Sequence, residues 1–128
     1  MQTNTHPLID RALCGEPLSL GEGEACVSLK TTSEMAVDAH GLVHGGFVFG
    51  LADYAAMLAV NDPLVVLGSA KTQFLAPVRA GEQVIARAVR GEQQGRKHTV
   101  TVTATVDDRQ VFSGTFVTYV LDQHVLDR

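Results

Sequence analysis

The chain divides where the spacing of its apolar residues changes. Residues from about Thr5 to Leu13 predict a short helix that ends at Gly15, and Glu24 to Lys30 alternates. There Ala25, Val27 and Leu29 share one face while Cys26, Ser28 and Lys30 share the other, which predicts a strand. Residues 31–43 show no period and carry the polar cluster Asp38-Ala39-His40. From Gly45 the run GGFVFGLADYAAMLAV is rich in Ala, Leu and Met, and Asn61-Asp62-Pro63 stops it. A proline disfavours helix in the residue before it, so the spacing predicts a helix of about four turns.

Everything after Pro63 predicts strand. Val65 to Leu75 is β-branched and closed by Pro77, Val84 to Val89 is apolar apart from Arg87, and Gly91 to Gly95 reads as a turn. In Lys97 to Val106, Val100, Val102, Ala104 and Val106 alternate with four threonines; Asp107-Asp108 turns the chain, and Val111 to Leu121 returns. Short turns make the last three strands an antiparallel meander. One almost wholly apolar helix and about five such strands predict an α+β fold, with the sheet wrapped round the helix. The 128 residues suit one domain, 1–128. An open sheet leaves edge strands that invite a second copy, so a homo-oligomer is expected.

Composition narrows the function. The chain is 45% hydrophobic and 19% charged, the pattern of a packed globule. Its longest apolar stretch, Gly45 to Val60, is too short to span a bilayer and contains Asp53, so no membrane partner is expected. The N-terminal residues lack the basic and apolar regions of an export signal, and Cys14 and Cys26 lack metal-type spacing. Reduced thiols and a cytoplasmic location fit both facts. A net charge of −4 argues against nucleic acid. Even so, Lys71, Arg79, Arg87, Arg90, Arg96 and Lys97 occur with only Glu82 and Glu92 among them, either as solvated strand faces or as an anion site.

Two features carry candidate chemistry. His44-Gly45-Gly46 opens the long helix, where first-turn N–H groups have no intrahelical partner and glycine permits close approach. Such an end can hold an oxyanion, or it can be a plain turn with His44 as its cap. Asp53 lies mid-helix among apolar residues, where an unpaired carboxylate is costly unless it finds a solvated edge or serves as a base. Seven residues separate Gly46 from Asp53, roughly 10 Å along a helix. They can meet only if a second, antiparallel helix brings its own Asp53 beside this Gly46, which a twofold dimer does twice. Asp38, His40 and His44 offer three ligand types but no fourth, so no metal site is read. Ser69 either faces the same site or fills a crowded strand position, and Phe47, Phe49, Tyr54 and Met57 are either core or an acyl pocket.

The run Asp38-Ala39-His40-Gly41-Leu42-Val43-His44-Gly45-Gly46, with Leu51-Ala52-Asp53 after it, resembles the signature of the phenylacetate-degradation (PaaI-like) group of hot-dog acyl-CoA thioesterases. Gly41, His44, Gly45, Gly46 and Asp53 match that group's motif in type and spacing, and the stretch Gln73 to Glu82 resembles its strand-turn before the meander. The resemblance implies a hot-dog fold, in which an antiparallel sheet of five to six strands wraps one long central helix. It implies hydrolysis of an acyl-CoA to free acid and coenzyme A, with coenzyme A part of the substrate and no separate cofactor. Asp53 would activate water or attack the thioester, and the Gly46 region would polarise the carbonyl. Asp38 stands where the group has Asn; an ionised carboxylate only accepts hydrogen bonds, so it would orient water or act on a nearby Asp53. Arg96 and Lys97, then Arg79, are the candidates for the coenzyme A phosphates. A non-catalytic acyl-CoA-binding regulator and a hot-dog dehydratase are the competing readings.

Overall fold

The computed structural model describes residues 1–128. A one-turn helix α1 (Arg11–Cys14) precedes strands β1 (Glu16–Gly21) and β2 (Glu24–Lys30). A loop with a single 3-10 turn at Ser33–Met35 leads into the long helix α2 (Gly45–Val60). Four strands follow: β3 (Val65–Phe74), β4 (Gln83–Gln94), β5 (Lys97–Val106) and β6 (Arg109–Val120). They form one sheet in the order β1-β2-β4-β5-β6-β3, every pairing antiparallel. No helix is long and apolar enough to cross a membrane.

The periodicity of the strands explains how this sheet closes on α2. Val27 and Leu29 of β2, Val84, Ala86 and Ala88 of β4, and Val100, Val102, Ala104 and Val106 of β5 are all buried on the face that meets the helix. The helix answers with Val48, Leu51, Ala52, Ala55, Ala56, Met57 and Leu58, also buried. Its alanines let the sheet approach closely enough to bury most of its circumference. Tyr54 and Met57 belong to this core, at 2% and 1% exposed, and are not free to line a ligand pocket. Asn61 ends the helix in a left-handed conformation, with its N–H bonded to the Met57 carbonyl.

Three elements depart from the sequence pattern, each for a local reason. The N-terminal helix shrinks to Arg11–Cys14, because His6 precedes a proline and takes a positive φ, and Asp10 then caps the one turn that forms. Strand β1 carries no clean alternation: Pro17 lies in it, and a bulge between Pro17 and Ser19 turns Leu18 outward. The turn expected at Gly91 to Gly95 is instead a bulge in β4 between Arg90 and Gln93, and the chain reverses at Gly95-Arg96, with Gly95 at φ 60°. Arg96 is therefore a turn residue, and β5 begins at Lys97.

Candidate active site

The site starts at the loop that delivers the chain to α2. One carboxylate oxygen of Asp38 accepts the N–H groups of His40 (3.0 Å) and Leu42 (3.2 Å), which folds the loop round Gly41 at φ 84°. Its side chain is exposed and braces this loop, and within one chain the raised pKa of Asp53 comes from burial. Met35 and Val78 then anchor the strand-like stretch ahead of the helix, since their carbonyls accept the N–H groups of His44 and Val43.

At the helix start, His44 is the N-cap. Its Nδ1 accepts the Gly46 N–H at 2.8 Å, which requires that nitrogen to be unprotonated. The Phe47 N–H bonds to the His44 carbonyl, so the Gly45 N–H is the one first-turn donor left without a partner in the chain. Neither position has room to spare. A Cβ on Gly45 would lie 3.2 Å from the Phe74 ring, and one on Gly46 would lie 2.8 Å from His44 Nδ1.

Asp53 lies two turns further on, on the same helical face as Gly46. Gly50 lies between them, and a Cβ built there would meet nothing within 4 Å. Gly46, Gly50 and Asp53 thus form a stripe of α2 that the chain's own sheet leaves open, on a helix otherwise buried almost all round. Within this stripe Asp53 Oδ1 is cut off from solvent and has no hydrogen-bond partner. Burial pushes its pKa up from the ordinary 3.8 to about 6. One unpartnered main-chain donor and one desolvated carboxylate on a single exposed stripe can polarise a carbonyl and move a proton, but within one chain they are too far apart to act together.

Two further features of the site were not legible along the chain. The thiol of Cys14 is raised by burial, then by the charges of Asp10 and Asp53, so the N-terminal turn lies within electrostatic reach of the carboxylate. Beside the helix start, Phe74 and Leu75 remain 55% and 48% exposed and wall an apolar groove of about 340 Å³ with Val48 and Val78. This groove shares Leu42, Pro77 and Val78 with a second one, about 290 Å³, that His40, Arg79 and Arg109 also line. Arg109 is engaged by Glu82 at 3.2 Å, whereas the Arg79 guanidinium makes no ion pair. Arg96 lies at the other end of α2, against a polar cavity that Val60 and His98 also line, and pairs with Asp122 at 3.4 Å across an exposed surface. Within one chain, then, Arg79 is near the helix start and Arg96 and Lys97 are near the helix end. Ser69 is exposed on β3, the outermost strand on that side of the sheet.

Comparison with known proteins fits this geometry. A model of the thioesterase superfamily matches residues 40–113, from the Gly41 loop through α2 to the start of β6 and more than half of the chain. The chain belongs to the thioesterase superfamily. The architecture is that superfamily's hot-dog fold. An uncharacterised protein, PH1136 from Pyrococcus horikoshii, superposes with a TM-score of 0.97 at 50% identity, covering 99% of this chain and 98% of the other. A mutant of the phenylacetic acid degradation protein PaaI from Thermus thermophilus gives 0.79 at 34% identity, covering 87% and 96%. Among curated relatives, the methylthioribose-1-phosphate isomerase of Aquifex aeolicus is 46% identical over 94% of this chain, and the transcription factor FapR of Thermoanaerobacter sp. is 28% identical over 89%. This thioesterase-superfamily chain spans only 26% of the first and 58% of the second.

Proposed function

We propose that this member of the thioesterase superfamily hydrolyses acyl-CoA thioesters in sites shared between two copies of the chain. The observation that carries the reading is Asp53: a carboxylate with one buried, unpartnered oxygen and a pKa of about 6, on the open stripe that also holds the helix start. A group poised there is mostly ionised at neutral pH and still basic enough to take a proton from water. Water loses that proton to Asp53 of one copy as its oxygen adds to the thioester carbonyl. The resulting oxyanion is held at the helix start of the other copy, where the Gly45 N–H is free. The C–S bond then breaks, and the sulfur leaves with the proton from Asp53. Direct attack by the carboxylate, followed by hydrolysis of the anhydride, uses the same atoms.

The shared arrangement also accounts for the scattered cations. If Asp53 of one copy faces Gly46 of the other, the twofold axis passes the helix midway, between Phe49 and Gly50. The end of one α2, with Arg96 and Lys97 beyond it, then lies level with the loop before the other α2, where Arg79 is. The three candidate phosphate ligands are brought to one end of each site. Arg96 would exchange its exposed bond to Asp122 for a phosphate, at little cost for a pair so solvated.

A second reading is favoured by the likeness to FapR: an acyl-CoA-binding module of a regulator, without turnover. Incubation with a panel of acyl-CoAs and a thiol reagent separates the two. Thiol release supports hydrolysis, saturable binding without release supports the regulatory reading, and neither binding nor release overturns both.

A further inference from the structure

The groove beside the helix start has a chemical character that selects what occupies it. It lies against Gly45, whose N–H is unpartnered, so an acyl chain attached to a carbonyl held there leads directly into it. Its walls are Val48 from α2, Phe74 and Leu75 at the end of β3, Val78 from the following turn, and Val111 from β6; none of its lining carries a charge. Phe74 packs edge-on against the buried Phe112, with ring centroids 5.3 Å apart, which fixes it as a wall although half of it remains exposed. An exposed aromatic held rigidly beside an unpartnered N–H is a poor use of apolar surface unless something covers it. The nearest free cation, Arg79, lines the adjoining groove and not this one.

We infer that the groove is the acyl-chain subsite, that it takes an uncharged apolar acyl group of medium length, and that Phe74 is the residue that reads it. This rests on the acyl-CoA reading above. The volume of about 340 Å³ within one copy gives the scale of its length. At about 30 Å³ for each methylene-sized group, the liquid volume of a water molecule, it holds roughly ten. A chain of about six to ten carbons, or an arylacyl group of similar bulk, fills it, and a longer one overruns into solvent. A terminal carboxylate would be desolvated there, since none of the groove's own lining is cationic.

The test uses the full chain and CoA thioethers that cannot be hydrolysed: S-methyl, S-hexyl, S-decyl, S-hexadecyl and one of hexyl length ending in a carboxylate. Binding should tighten from S-methyl to S-decyl by roughly fourfold for each of the first few methylenes. It should gain nothing from S-decyl to S-hexadecyl, and the carboxylate-ended thioether should bind at least tenfold more weakly than S-hexyl. Phe74→Ala should weaken S-decyl binding at least fivefold and S-methyl binding less than twofold. Leu75→Arg should reverse the preference between S-hexyl and the carboxylate-ended thioether, a gain that damage to the fold cannot mimic. Equal losses for all chain lengths on Phe74→Ala, or affinity independent of chain length in the unaltered protein, would overturn the subsite. The outcomes separate cleanly from the reaction: chain-length selection without thiol release removes hydrolysis and keeps the groove, whereas thiol release without chain-length selection does the reverse.

Discussion

Replacing Asp53 by Asn removes the charge that the helix interior disfavours and keeps the shape. Because burial lifts the carboxyl from 3.8 to about 6, the folded protein holds its proton more tightly than the unfolded chain does. The sign follows. This group's favourable contribution is complete below about pH 4, declines as pH rises from 4 to 6, and is gone above that. At about 1.36 kcal/mol per pH unit, keeping the carboxylate ionised in the fold at pH 7 costs about 3 kcal/mol. Asparagine escapes that cost but still buries an amide, so the expected net gain is about 2 kcal/mol at pH 7, roughly 5–10 °C in Tm for a chain of this size. The gain should shrink towards zero near pH 4. Urea unfolding of both proteins at several pH values, at one fixed chain concentration, measures it. A difference that does not change with pH, or a substituted protein less stable at pH 7, would refute the claim that Asp53 is desolvated and unpartnered. The same substitution should lower kcat for acyl-CoA hydrolysis by about 10²-fold or more, the usual weight of a lost general base.

In the unaltered protein, kcat/KM should rise with pH through an apparent pKa of about 6 and level off above it; a rate flat across that range would mean that some other group titrates. Mixing an inactive Asp53→Asn chain with an inactive chain altered at Gly46 should restore activity through hybrid dimers with one intact site, and silence after confirmed subunit exchange would rule out shared sites. Arg79→Ala, and the Arg96→Ala/Lys97→Ala pair, should raise KM for an acyl-CoA by at least fivefold while sparing an acyl thioester that lacks the nucleotide; equal effects on both substrates would dismiss them as phosphate ligands. Gly15→Ala should cost roughly 2–3 kcal/mol, because Gly15 sits at φ 117° and its new methyl would lie 2.7 Å from Val27 and 2.8 Å from Leu51. Retention of full stability would show that Gly15 is not pressed against Val27 and Leu51.

What could be read from the chain was whatever depends on near neighbours in sequence. Helix α2 announced itself through an unbroken apolar run closed by Asn61-Asp62-Pro63, and Asp53 stood out within it for the same reason. Strand β5 was legible because its threonines and valines keep strict alternation, and one face of that alternation is buried. Strand β1 was not, since its bulge breaks the period of two and Pro17 argues against a strand. The turn misplaced to Gly91 to Gly95 shows a similar limit: Gly91 and Gly95 are both breakers, but only the pairing of Gln94 with Lys97 decides which one reverses the chain. His44 was legible as a possible cap of the helix start, and two other features of the candidate site lay outside any local pattern. The use of Asp38 as a loop brace depends on a turn, and the apolar groove draws on α2, β3, its following turn and β6 at once.

The placing of β3 at the sheet edge has a consequence for how the protein is made. β3 follows α2 directly in the chain, yet its only partner is β6, the last strand to be synthesised. A ribosome working at about 5–20 residues per second needs on the order of 2–10 s to cover the stretch from the end of β3 to the end of β6. For that interval a ten-residue strand with Val65, Val66 and Leu67 at its head has both edges unpaired and the helix lacks one wall. The nascent chain is therefore most prone to mispairing after α2 has emerged and before β6 has, and a message cut short there should yield a sticky fragment, not a smaller folded protein.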